Sequence, residues 1–291
     1  MLAIEIKGLT KSFGDFKAIS DVNLEVNKGE VFGFIGPNGS GKSTTIRTLL
    51  GLLKESSGEM FIQGQDVKIY GDTLRAKIGY LPSEVNYYEE MDSRELLTYS
   101  AGFYDNVDLS KIDTLAEFLE LDLNKKITDL SFGNKKKCAI IQCLLHSPEI
   151  LILDEPTSGL DPLMQNRFFE LLDAENKKGA TIFFSSHILS EIQRMCERAA
   201  VIKEGKIITV ETIQTLLEKQ LKRVELVFKT TPISIDYIAG VDKVKQKDNR
   251  LTFQYTGEVN TLLNWISSFD LFDAVLKEPN LESIFMNYYE R

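Results

Sequence analysis

Nine consecutive residues constrain this chain more than any others: Gly36-Pro37-Asn38-Gly39-Ser40-Gly41-Lys42-Ser43-Thr44. They fit the pattern G-x-x-x-x-G-K-[ST] at every fixed position. An apolar run, Glu30 to Ile35, leads in, and a helix-like run, Lys42 to Leu50, leads out. The setting predicts a strand, a tight loop and a helix. Gly36, Gly39 and Gly41 let consecutive backbone N–H groups turn inward around a phosphate. The helix start adds free N–H groups and the positive end of its dipole. Lys42 brings a full charge to the β- and γ-phosphates, and the Ser43 hydroxyl can ligate Mg²⁺. The bland alternative, a glycine-rich turn before a core helix, explains neither the full match nor its flanks.

At 291 residues the chain has room for about two domains. Its 43 % hydrophobic content suffices for a real core. A net charge of −9 argues against a duplex DNA binder held by phosphate contacts. Cys138, Cys143 and Cys196 lack metal-site spacing, and their odd number without a leader-like N-terminus points to a reducing, cytoplasmic setting. No apolar run approaches the ~20 residues needed to span a bilayer. That leaves docking onto a membrane protein open.

Taken in order, Leu2 to Leu9 and Lys17 to Val26 alternate as half-buried strands around a turn at Lys11 to Asp15. Glu59 to Ile62 and Lys77 to Leu81 read as short strands. From Asn86 to Leu145 the spacing becomes helical, over Ser93 to Phe103, Asp113 to Leu121 and Gly133 to Leu145. Strands return at Ile150 to Asp154, Thr181 to Ser185 and Ala199 to Lys203, separated by helices at Pro162 to Lys177 and Ile188 to Arg198. Such alternation predicts an α/β fold with a parallel sheet, interrupted by a helical insertion. A polar helix near Gln214 to Lys222 hands over to a small α+β unit. Its strands are expected at Val224 to Phe228, Arg250 to Tyr255 and Ala274 to Lys277. Its helices are expected at Val259 to Ser268 and Leu281 to Tyr289.

Ile150-Leu151-Ile152-Leu153-Asp154-Glu155 is an apolar strand ending in two carboxylates. Ligands gather at the carboxyl ends of parallel strands, where the glycine loop also sits. Asp154 is then placed to hold Mg²⁺, and Glu155 to orient and deprotonate an attacking water. Ser131 in Leu130-Ser131-Phe132-Gly133-Asn134 is a good N-cap, so the helix it opens offers a second anion site. Ser158-Gly159-Leu160-Asp161-Pro162 follows the acids, and Ser185-Ser186-His187 follows the next strand. Lys135-Lys136-Lys137 reads as a solvated helix face. His146, before Ser147-Pro148, reads as a helix C-cap, and Cys138 and Cys143 as small core residues.

This ordered set resembles the nucleotide-binding subunit of an ATP-binding cassette (ABC) transporter over about Ile4 to Lys206. The resemblance implies a P-loop NTPase fold: a parallel core sheet, an N-terminal antiparallel β subdomain, an inserted helical subdomain near 86–146 and a small C-terminal α+β domain. It implies a nucleotide-binding domain over 1–215 and an accessory domain over 222–291. Gly36 to Thr44 is the Walker A loop, and Phe13 stands where the family stacks an aromatic on adenine. Ser131, Gly133 and Asn134 belong to the signature, which in the family meets the ATP of an opposite subunit. Asp154 and Glu155 are the Walker B pair, with Glu155 as general base. Asp161 lies in the D-loop, and His187 is the switch histidine. Phe132 and Asn134 depart from the usual Leu-Ser-Gly-Gly-Gln. Ser83, with Glu84 next, stands where the family's Q-loop glutamine would follow Gly79-Tyr80-Leu81-Pro82; the spacing favours Ser83 as the Mg²⁺-side residue.

The implied activity is ATP hydrolysis with Mg²⁺ that drives export of a substrate, by ATP-dependent head-to-tail pairing with an identical or homologous subunit. The implied partner is a separate transmembrane permease, with the chain peripheral on the cytoplasmic face of the membrane and no nucleic acid involved. The tail from Leu281 resembles that of the drug, antibiotic, sodium and peptide export subfamily. The other reading is a soluble cassette ATPase acting on ribosomes or DNA ends. Those relatives carry two fused cassettes or a long coiled coil, and neither is visible here.

Overall fold

The computed structural model describes residues 1–87, 90–218, 222–230 and 235–277. The helix expected over Leu281 to Tyr289 lies outside the described residues. The chain forms two compact units, Met1–Glu211 and Thr212–Arg291.

In the first unit, β1 (Leu2–Phe13) and β2 (Phe16–Asn27) make a long antiparallel hairpin. The turn is tighter than the sequence suggests. Lys11, Ser12 and Phe13 stay in the strand, opposite Ile19, Lys17 and Phe16, and only Gly14 and Asp15 reverse the chain. Cross-strand pairing overrides the weak strand preference of these residues. β4 (Ser57–Ile62) pairs antiparallel with β1, and β5 (Gln65–Asp66) completes the order β2-β1-β4-β5.

The second sheet is the frame of the site. It contains β3 (Val31–Ile35), β6 (Ile78–Leu81), β7 (Ile150–Asp154), β8 (Thr181–Ser186), β9 (Arg198–Lys203) and β10 (Lys206–Thr212), in the order β10-β9-β3-β8-β7-β6. The run from β9 through β3, β8 and β7 to β6 is parallel. Every residue of β3, β7 and β8 is buried, which is why their apolar stretches, Val31 to Ile35, Ile150 to Leu153 and Ile182 to Phe184, show no alternation. Rings of Phe32 and Phe183 stack across neighbouring strands at 6.0 Å.

The register decides what meets at the sheet's carboxyl edge. Ile35 lies opposite Ser186, Asp154 opposite Ser185, and Leu81 opposite Leu153. The segments that follow β3, β6, β7 and β8 therefore leave the sheet side by side. After β3 the chain enters α1 (Lys42–Leu49). An unexpected helix, α2 (Val67–Arg75), starts on an Asp66 cap that accepts the Lys68 N–H. Helices α3 (Ser93–Ala101), α4 (Ser110–Phe118) and α5 (Phe132–Leu144) pack on one another, and α5 also packs on β6. They make the helical insertion that the sequence predicts. Helices α6 (Pro162–Lys177) and α7 (Leu189–Met195) are crossovers between the later strands.

The second unit contains α8 (Ile213–Glu218), β11 (Lys222–Phe228), β12 (Val241–Lys247), β13 (Arg250–Tyr255), α9 (Val259–Ile266) and β14 (Leu271–Lys277). Its sheet is antiparallel in the order β12-β13-β11-β14. Leu262 and Ile266 of α9 close a core over Val224, Leu226, Phe228, Leu251, Phe253 and Tyr255. β12 escaped the sequence reading because Val-Asp-Lys-Val-Lys-Gln-Lys has no buried face: it is an edge strand, exposed along nearly its whole length.

Candidate active site

The glycine loop joins β3 to α1 as expected. Gly41, the N-cap of α1, has φ 107°, a left-handed conformation, and a Cβ there would meet Ile19 Cγ2 at 2.7 Å. Only glycine fits. Inside the loop the Lys42 ammonium is almost fully buried. It donates to the carbonyls of Gly36 at 2.7 Å and Pro37 at 3.1 Å, and meets Glu155 Oε1 at 3.2 Å. A cavity of about 920 Å³ opens over the loop, lined by Asn38, Gly39, Gly41, Lys42, Ser43 and Thr44 and by Ser83, Glu84 and Glu155. Gly36, Pro37 and Ser40 are not among the lining residues; the Ser40 hydroxyl is buried without a protein partner.

Asp154 closes β7 and is completely buried. Its Oδ1 accepts from the Ser185 hydroxyl at 2.8 Å, while Oδ2 has no protein partner. A buried carboxylate oxygen without a donor is costly unless something else satisfies it. Glu155 follows in a left-handed conformation, φ 46°. Its N–H donates to Ser185 O and Oγ, each at 3.2 Å. Its carboxylate then bridges two groups, Lys42 through Oε1 and His187 Nδ1 through Oε2 at 3.4 Å. Lys42, Glu155 and His187, drawn from three separate segments, thus form one line at the sheet's edge.

The loops behind that line are fixed by a second carboxylate. Buried Glu191, on α7, accepts from Thr157 Oγ1 at 2.6 Å and Ser186 Oγ at 2.7 Å. It ties the loop after Glu155 to the residue before His187.

The signature residues stand elsewhere. Ser131 caps α5, its hydroxyl accepting the Asn134 N–H at 3.3 Å, as expected. Ser131, Gly133 and Asn134 do not line the cavity over the glycine loop, although Leu130, Phe132 and Lys135 border it. Asp161 caps α6, accepting from the N–H groups of Leu163 and Met164, both at 3.0 Å. Ser83 and Glu84 both line the cavity, so its lining does not choose between them.

Two expectations change. Phe13 is half exposed under the Lys11 ammonium, 4.7 Å from its ring centroid, and is absent from the cavity lining. Its cross-strand partner Phe16 is there instead, with Ala18. The closer turn puts both rings at the hairpin tip, and the second one points to the cavity. Lys136 is not on a solvated face: it is fully buried, and its ammonium donates to the carbonyls of Pro82 at 2.8 Å, Ser83 at 3.2 Å and Glu155 at 3.4 Å. Burial pulls it down to about 8, against the opposing pull of Asp154 and Glu155. Successive helix residues point about 100° apart, so three lysines in a row cannot share one face. That periodicity was the available signal.

Cys138 and Cys143 are buried core residues, as expected. His146 follows the end of α5, where its ring stacks on Tyr104 at 3.9 Å and its Nε2 meets Ile78 O at 3.2 Å.

The model of the ABC transporter family matches residues 19–158. The Bacitracin transport ATP-binding protein BcrA of Bacillus licheniformis is 36% identical over 225 residues, 76% of this chain and 74% of that protein. The Nod factor export ATP-binding protein I of Rhizobium leguminosarum bv. viciae is 32% identical over 294 residues, 98% of this chain and 94% of that protein. A solved ATP-binding subunit of an ABC transporter superposes with TM-score 0.68 at 30% identity, over 74% of this chain and 91% of that one. A dimeric ATP-binding cassette bound to ADP and Pi does so with TM-score 0.66 at 25% identity, over 72% of this chain and 98% of that one. With its glycine loop, its acid pair and this likeness along its length, the chain belongs to the ATP-binding proteins of the ABC transporter family and is an ATPase.

Proposed function

We propose that this ATPase drives export through separate permease chains, by closing head to tail with a second nucleotide-binding subunit over two ATP molecules. The observation that carries the hydrolytic half is the line Lys42–Glu155–His187 at the carboxyl edge of the sheet. Lys42 receives the β- and γ-phosphates and in doing so gives up Glu155. The freed carboxylate takes a proton from water as its oxygen bonds to the γ-phosphorus and the bond to the β–γ bridging oxygen breaks, leaving ADP and phosphate. His187 holds the other carboxylate oxygen and senses the γ-phosphate. The N–H groups of Asn38 to Thr44 cradle the phosphates, and Phe13 or Phe16 offers a ring to adenine.

The residues present fit Mg²⁺. Asp154 Oδ2 is a buried anionic oxygen with no protein donor, and Ser43 and Ser83 line the cavity over the glycine loop. Ser43, Asp154 and Ser83 would hold the ion, which supplies charge neutralisation to the phosphate oxygens.

Pairing is supported by what the chain's own site lacks. Ser131, Gly133 and Asn134 do not line that cavity, which suits a role at the partner's γ-phosphate, with Asp161 at the interface. A relative solved as a dimer favours the same arrangement. For the permease, the support is a second cavity of about 660 Å³ between the core and helices α3 and α5. It carries Tyr80, Tyr87, Tyr99, Phe103 and Tyr104, and Phe103 is 69% exposed. Among the described residues no helix is long and apolar enough to cross a membrane; in this reading the pore belongs to the permease chains, met at the cytoplasmic face. Export is favoured by the Nod factor export relative, and transport by the bacitracin one; the Nod factor match extends through the second unit, the accessory domain of this reading.

Purifying the chain with any polytopic membrane protein whose gene is found to neighbour its own tests the reading. ATP turnover stimulated by that partner, and further by one transported compound, is the expected result. Turnover indifferent to every membrane partner would overturn it.

A further inference from the structure

We propose that Lys136 is a positioning residue for ATP hydrolysis, its ammonium clamping the backbone of Ser83 and Glu155 to the helix that carries the signature. The inference rests on the ATPase reading above.

A lysine with no exposed surface is rare unless its charge is matched, because removing an ammonium from water costs several kcal/mol. The side chain has three N–H donors, and here each finds a carbonyl. Pro82 and Ser83 supply two from the segment after β6, and Glu155 supplies the third from the segment after β7. Filling space would have needed only a methylene chain. The convergence of carbonyls from two functional loops on one cation is a fixed joint.

Glu155 shows what the joint is for. A residue other than glycine at φ 46° is in a strained region that persists only where its surroundings over-determine it. Its N–H is held by Ser185, at 3.2 Å to both O and Oγ. Its carbonyl is held by Lys136 at 3.4 Å. The residue that aims the general base is thus pinned at both ends, and one pin comes from another element. The Asp154 and Glu155 carboxylates lie within electrostatic reach of the ammonium and favour its charge.

That other element is α5, whose N-cap is Ser131. Lys136 lies five residues on, about 7.5 Å along the axis. A shift of the signature end of α5 must carry Lys136 with it, and the backbone of Glu155 and Ser83 follows. Contact with a partner's nucleotide at Ser131 is thereby linked to the alignment of the base in the chain's own site.

The test uses the full chain with Lys136→Met, which keeps the length and loses the donors, and Lys136→Gln, which keeps an N–H donor. ATP affinity, kcat and Tm are measured for each. For Lys136→Met kcat should fall about 30-fold, the scale of one lost charge-assisted hydrogen bond, with Kd for ATP within about threefold. Lys136→Gln should recover several-fold of that loss. A folded Lys136→Met with wild-type kcat overturns the proposal. So does a parallel loss of kcat and affinity, or equal kcat for the two variants. If Lys136→Met does not fold, a folded Lys136→Gln with unchanged kcat overturns it, and failure of both to fold assigns Lys136 to stability instead. Wild-type turnover is the control: its absence overturns the ATPase reading itself, a failure distinct from the others.

Discussion

Replacing Glu155 with glutamine separates two roles that one carboxylate plays. In the structure Oε1 lies 3.2 Å from the Lys42 ammonium and Oε2 lies 3.4 Å from His187 Nδ1. The amide keeps the shape, loses the charge and cannot take a proton. Loss of a general base removes about 10²–10⁴ in rate, or about 3–5 kcal/mol of barrier. Turnover in Glu155→Gln should fall within that range.

Binding should move the other way. The incoming triphosphate competes with the Glu155 carboxylate for Lys42, and two carbonyls, Gly36 and Pro37, remain on the ammonium whichever wins. Removing the competitor spares ATP the loss of one charge-assisted contact, worth about 1.5 kcal/mol, so Kd should tighten about tenfold. The assay is paired: single-turnover hydrolysis, and equilibrium binding of ATP at fixed salt, with dimer formation followed by gel filtration. Slow turnover, tighter ATP and a trapped ATP-bound dimer are expected together. Turnover within a few-fold of wild type would reject Glu155 as base. Slow turnover with unchanged or weaker binding would reject the competition for Lys42 and leave the base intact.

Other outcomes follow from neighbouring contacts. Alanine at Phe13 and at Phe16, measured separately by ATP affinity, should show one loss of about 1–3 kcal/mol, the usual worth of a ring stacked on a base; no loss at either would remove stacking from the hairpin tip. Gly159 sits at φ 81° with the Phe132 ring where a Cβ would be, 2.2 Å from two ring carbons. Gly159→Ala should therefore lower stability by about 1–3 kcal/mol in thermal melts, and adding Phe132→Gly should relieve part of that; no relief would place the strain in the backbone alone. His146 is held below its ordinary value near 6.5, chiefly by burial and also by Lys111, with Ile78 O opposing. The unfolded chain then takes up this proton first as pH falls below about 6.5, so stability drops there. Melts at pH 7.5 and 5.5 should show a smaller acid loss for His146→Phe, which keeps a ring against Tyr104, than for wild type; equal losses would refute the assignment.

What could be read in the sequence was what depends on backbone chemistry within one segment. The glycine loop is legible because N–H geometry, a helix start and Lys42 occur in one run. The acid strand is legible because burial on both faces leaves an unbroken apolar word, Ile-Leu-Ile-Leu, before Asp154. The helical insertion showed as a change of period. β12 did not, since an edge strand exposed on both sides carries no alternation. α2 did not, since Gly71 interrupts its middle.

The residues missed in the site share one property: their role is set by a partner distant in sequence. Ser185 matters because register puts it beside Asp154, 31 positions away, and Lys136 because its ammonium reaches Pro82 and Glu155, 54 and 19 positions away. Phe16 matters because a two-residue turn, not a five-residue one, ends the hairpin. Composition pulled Lys136 the wrong way, since two neighbouring lysines suggest solvent. Its burial follows only once α5 is docked on β6, because that contact turns one of three successive 100° directions inward. The site is therefore an outcome of sheet order. The motifs supply groups, and the parallel register of β3, β8, β7 and β6 decides which of them meet.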